Sequence, residues 1–168
     1  MSMTKEQLAT LLAEHHACRE AVTWTKGKSF SEAWSSCTRP DWLLWLAGRM
    51  ANEKGWWTRQ QVVLAACACA ESVLYIFEGR YPEDKRPRKA IETARLWAEG
   101  KATLEEVKNA AASADAAAYA DAYASAYASA AFRGTLTRKR KELADLVRKE
   151  LPFELDKEVR RAKRSTTE

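Results

Sequence analysis

Apolar residues recur along the chain at three- and four-residue spacing, and helix-start and helix-stop signals divide them into seven runs. Leu8, Leu11, Leu12, Cys18 and Val22 keep one face of a first helix. It opens at Thr4, with Gln7 completing a capping box, and is expected to continue to Gly27. Ser29 and Glu32 repeat that grammar for a short second helix burying Phe30, Ala33 and Trp34. Pro40 suits the first position of a third, with Trp42, Leu43, Trp45, Leu46 and Met50 inward and a loop around Gly55 after it. Thr58 and Gln61 cap a fourth, apolar almost all round from Val62 to Ala70 and expected to end at Gly79. Pro87 starts a fifth, closed by Gly100, and Thr103 with Glu106 caps a sixth that should run to about Phe132. Gly134 separates it from a seventh bearing Leu143, Leu146, Val147 and Leu151, which Pro152 ends.

The sixth helix contains the most unusual stretch, Ala110 to Ala131. Of its 22 residues 14 are Ala, and the rest are Asp, Tyr and Ser. Ala is the best helix former and a poor strand former, so the alternating look is not a strand. On a helix, Asp115, Tyr119, Tyr123 and Tyr127 fall on one row and Asp121, Ser125 and Ser129 on another, with nearly pure Ala between. Smooth Ala flanks permit close helix approach, which predicts a central strut about 45 Å long. The fold expected is an all-α, single-domain bundle of six to eight helices around this long central helix. The bundle should occupy residues 1–151, and residues 152–168 should form a basic extension.

Composition supports that picture. The chain has 168 residues, seven Trp, and only six Gly and four Pro, enough for one buried core. No signal segment and no apolar run of about 18–20 residues is read from it, so a cytoplasmic protein with no membrane partner is expected. The net charge of +5 resides in residues 133–168, since residues 1–132 balance formally. That basic end reads first as the solvated face of an amphipathic helix, and only secondarily as a nucleic-acid contact.

Catalytic patterns are missing from the sequence. Cys18, Cys37, Cys67 and Cys69 form no CxxC pair, and Cys67 and Cys69 should point apart on their helix. His15 and Cys18 would share a face, yet no four-ligand metal spacing emerges, and no phosphate-binding glycine motif occurs. No cofactor or metal is expected. Two charged clusters stand out instead. Arg39, Asp41, Trp42 and Arg49 surround the start of the third helix, where Asp41 either complements the helix dipole or pairs with an Arg to shape a concave surface. Asp84, Arg86, Arg88 and Lys89 surround Pro87. Cations at a helix start oppose the dipole and call for carboxylates such as Glu83, Asp84 or Glu92, or for an anionic ligand. The Tyr row is either packing or the wall of a polar pocket.

The segments HACREAVTW, SSCTRPDWLLWLAGR, VVLAACACAES, EDKRPRKAIETARLWAEGKATLEEV, the Ala/Tyr/Asp helix and KELADLVRKEL occur in that order. Together they resemble a family of alanine-rich helical immunity proteins, group-five-like, from bacterial polymorphic toxin systems. Members usually carry Gly before the Asp of the first motif, where this chain has Pro40. The resemblance implies a non-enzymatic protein that neutralises a cognate toxin by stoichiometric binding. The alternatives are a phage-type counter-defence protein that sequesters an anionic nucleotide signal or blocks a defence effector, and a nucleic-acid binder acting through the basic end. The residues expected to line the binding surface are Asp41, Trp42, Arg49, Arg86 and Arg88, followed by Asp115, Tyr119, Asp121 and Tyr123. Expected partners are a protein toxin or effector, with a small anionic ligand or a second copy of the chain as further options.

Overall fold

Three capping boxes start helices where the sequence places them. Thr4 accepts from Gln7 N–H while the Gln7 side chain accepts from Thr4 N–H, and the Ser29/Glu32 and Thr58/Gln61 pairs do the same. Thr103 and Glu106 are joined by the same reciprocal bonds, at 3.2 and 2.7 Å. The computed structural model describes residues 3–125 and 133–153, and these contain eight helices and no strand. In order they are α1 (Lys5–Glu14), α2 (Arg19–Thr25), α3 (Phe30–Ser36), α4 (Pro40–Arg49), α5 (Arg59–Arg80), α6 (Arg86–Ala98), α7 (Leu104–Ser125) and α8 (Arg133–Glu150).

The expected first helix is two helices. After Glu14 the backbone of His16 turns left-handed, with φ 56°. His16 N–H donates to Ala13 O at 3.1 Å and Ala17 N–H to Leu12 O at 2.9 Å. Those two bonds are the Schellman closure of a helix C-terminus, formed with His where Gly is usual. Gly100, at φ 74°, closes α6 in the same way through bonds to Trp97 O and Leu96 O. The break at His16 removes the helical face that His15 and Cys18 were expected to share. Cys18 becomes the residue that precedes α2.

The hydrophobic core lies mainly on α1, α3, α4, α5 and α8. Its fully buried members include Phe30, Ala47, Ala65, Ala144, Val147 and Leu151. Five aromatic rings thicken it. Trp34 stacks on Trp57 with centroids 4.9 Å apart, and Phe30 meets Trp34, Trp56 and Phe153 at 5.8, 5.4 and 4.7 Å. Packing therefore continues past the expected boundary at Leu151, and Trp57 Nε1 donates to Pro152 O at 3.2 Å.

The fold is all-α, as expected, and the side chains of the Ala/Tyr stretch from Asp115 onward lie outside the described residues. α7 packs chiefly on α6, which itself has no fully buried side chain. The described part of α7 covers 22 residues, about 33 Å, and the expected continuation to Phe132 lies outside the described residues. Ala favours close approach but contributes little apolar area, so bulky Trp, Phe and Leu dictate where the core forms. Two helix boundaries also differ from expectation. Gly79 sits inside α5, and Gly134 is helical within the described part of α8 rather than a break between helices.

By length and composition α5 could cross a membrane, contrary to the expectation that no such segment exists. Its environment among the described residues is a helical one. It packs against α4, α6 and α8, and its Glu71 and Glu78 are each held by an arginine of α6. Cys67 and Cys69 point apart as expected, their thiols lying 3.8 Å from Ile91 O on α6 and Leu143 O on α8.

Candidate functional site

The first charged cluster is assembled at the start of α4. Pro40 fixes the first helical residue, which leaves Arg39 extended before the helix and Asp41 in its first turn. Arg39 reaches forward to clasp Asp41 with two bonds, Nε to Oδ1 at 2.9 Å and Nη2 to Oδ2 at 2.6 Å. That contact holds the Asp41 carboxyl below its ordinary range, despite some opposing desolvation. The guanidinium lies over Trp42, 4.6 Å from the ring centroid, and its other edge approaches Glu20 at 3.7 Å.

Trp42 in turn meets Trp24 of α2 at 5.9 Å, and Lys28 stands 4.3 Å from the Trp24 ring. A row of two indoles flanked by a cation on each side therefore runs Lys28, Trp24, Trp42, Arg39, with Asp41 at its end. Behind the two indoles lies a small apolar cavity of 40 Å³, bounded also by Trp45, Phe30 and Cys37. Arg49 closes α4 and lies over Trp45 at 5.8 Å. Asp41, Trp42 and Arg49 thus belong to one helix and one aromatic surface. Trp24 and Lys28 complete that surface and were missed, because the sequence offers no reason to bring α2 against α4.

Arg86 and Arg88 are occupied differently. Asp84 accepts two bonds from the Arg86 guanidinium, at 2.9 and 2.6 Å, and a third from the Arg86 backbone at 3.1 Å. The Asp84 carboxyl is lowered to about 2 as a result, with the Arg86 side chain the main cause. Arg88 is gripped bidentately by Glu78 of α5, both bonds at 2.6 Å. Arg95 is held by Glu71 in the same manner, at 2.7 and 2.6 Å. Glu71 and Glu78 are two turns apart, as are Arg88 and Arg95, so the pairs form rungs between antiparallel helices. Asp84 is one of the carboxylates expected to answer the cations, and Glu78 is an additional one. The arrangement braces α5 against α6.

Asp115, Tyr119, Asp121 and Tyr123 lie on α7, but their side chains fall outside the described residues, and Tyr127 falls outside them altogether. On α8 the half-buried Lys139 and the exposed Lys141 pair with Glu142 and Asp145 one turn away. Arg148 does something the sequence did not suggest. Its Nη1 donates to Trp34 O at 3.0 Å and Cys37 O at 2.8 Å, satisfying carbonyls at the end of α3, while Nη2 binds Asp145 at 2.5 Å. Among the described residues no three His, Cys, Asp or Glu side chains converge as metal ligands.

No curated protein and no solved structure matches the chain. A family model does match, over residues 57–135, and its description is "Imm-5 like putative immunity protein". The match takes in α5, α6 and α7, including both Glu–Arg rungs, and leaves the Trp24–Trp42 surface outside it. Residues 57–135 of this chain are thus similar to that immunity family, in line with the resemblance carried by the sequence.

Proposed function

We propose that the protein is an immunity protein that neutralises a cognate toxin by binding it stoichiometrically, without catalysis. The match of residues 57–135 to an immunity family carries this reading. The cation–indole face of α2 and α4 supports it as the contact surface. Trp and Arg are the residues most enriched among interface hot spots, and clasping by Asp41 holds Arg39 in one orientation before a partner arrives. The braced α5–α6 pair would supply the rigid platform behind it.

The deciding experiment is co-expression with each toxin gene found beside this one. Rescue of growth, with an equimolar complex recovered by size-exclusion chromatography and light scattering, is the expected result. If no neighbouring toxin is neutralised and no complex forms, the reading fails. Within such a complex, Trp42→Ala should weaken binding about tenfold or more, as hot-spot tryptophans do.

A further inference from the structure

Between α1 and α2 runs a groove of 460 Å³ that adjoins the cation–indole face. Leu8 and Thr25 line both the groove and the small cavity behind Trp24 and Trp42. The groove is predominantly apolar, with Leu8, Ala9 and Val22 in its lining. Val22 is 42% exposed, an aliphatic side chain left open to water. Among the described residues, the charged ones that line it are Lys5, from the first turn of α1, and Lys26, at the end of α2.

The hydroxyls beside them are already committed. Thr23 Oγ1 donates to Arg19 O at 2.8 Å, and Thr25 Oγ1 to Ala21 O at 2.9 Å. Among the described residues, side-chain donors are thereby reduced to the two ammonium groups, and no aromatic ring lines the groove for a base to stack on. That chemistry is poor for a nucleotide and good for an aliphatic group flanked by carboxylates. A fatty acid carries one carboxylate, whereas the two lysines come from two helices. A peptide segment can answer both.

We propose that the α1–α2 groove seats an acidic segment of the protein partner, with an aliphatic side chain against Val22 and Leu8 and carboxylates on Lys5 and Lys26. This rests on the partner-binding reading above, and it extends the contact surface from α4 across α2 to α1. Charge complementarity selects the occupant, because apolar burial at Val22 alone would accept any aliphatic chain.

The test uses the full chain, the toxin that it neutralises and titration calorimetry. The double variant Lys5→Glu/Lys26→Glu and the single variant Val22→Asp should each weaken binding about tenfold or more, whereas Leu96→Lys on α6 should not. Far-UV melting checks that each variant folds. Unchanged affinity in both groove variants, with wild-type binding intact, overturns the groove and leaves the immunity reading standing. Absence of wild-type binding removes that reading first. A second measurement needs no toxin. In methyl-labelled protein, a short peptide of repeating Glu-Glu-Leu-Leu should shift the Val22 and Leu8 methyl resonances, and a Lys-Lys-Leu-Leu peptide should not. Response to neither peptide, or to dodecanoate alone, overturns the proposal.

Discussion

His16 occupies a backbone position that side chains other than Gly enter at a cost. At φ 56° its Cβ crowds the following carbonyl, which costs roughly 1–2 kcal/mol, yet it carries the closing bonds of α1. His16→Gly should therefore stabilise the protein, by about 0.5–1 kcal/mol after the extra freedom Gly gains in the unfolded chain. Urea unfolding reads this as a higher midpoint at unchanged slope, and a lower midpoint would contradict the strain. Arg148 is the opposite case, a charged residue whose removal should hurt. Its side chain is only 19% exposed and satisfies two carbonyls at the end of α3. Arg148→Met keeps the aliphatic packing and loses those bonds, so a destabilisation of about 2–3 kcal/mol is expected in the same assay. Neither role could be read from sequence. His16 carries no turn signature, and Arg148 acts across 114 and 111 residues of chain.

At the scale of elements, starts were legible and ends were not. Thr4, Ser29, Thr58 and Thr103 each cap a helix from side chains within three residues, and Pro40 and Pro87 fall in first turns as a missing N–H dictates. Such signals are local. The end of α1 depends on Leu12 and Ala17 being drawn to a core made elsewhere, and Gly79 lies within α5 in spite of its low propensity. The Arg39–Asp41–Trp42 group was legible because its members are neighbours in sequence. Its extension to Trp24 and Lys28 was not, since it is created by packing. The rungs between α5 and α6 allow a quantitative check. In a double-mutant cycle on Glu71→Gln and Arg95→Gln, the coupling should be about 0.5–1 kcal/mol, the modest value of a solvent-screened bidentate pair. A coupling near zero would mean that packing alone sets the α5–α6 register.

Across the whole molecule, acid should be the condition that loosens these braces together. Asp41, Glu71, Glu78, Asp84 and Asp145 all titrate below their ordinary values, each chiefly because an arginine side chain binds the charged form. In that range the unfolded chain binds more protons than the folded one, so stability rises with pH. The contribution is complete above the ordinary carboxylate values of 4.5 and 3.8. It is lost as pH falls through the lowered ones, with Asp84 the last at about 2. Thermal midpoints should therefore fall steadily from about pH 5 to about pH 2, and Glu78→Gln should flatten part of that slope. A midpoint independent of pH over this interval would show that the ion pairs persist equally in the unfolded chain.

The stacked indoles of Trp34 and Trp57 give the molecule an optical signature of its own. Rings 4.9 Å apart and inclined by 27° couple their electronic transitions, producing a paired signal of opposite signs in circular dichroism. One indole belongs to α3 and the other to the loop before α5, so the signal exists only while those parts are in register. Helix content, by contrast, is dominated by α5, α7 and α8, the longest helices described. A single spectrum thus separates loss of core packing from loss of helix. If a partner stiffens the first half of the chain, the exciton pair will strengthen while the helical bands stay still.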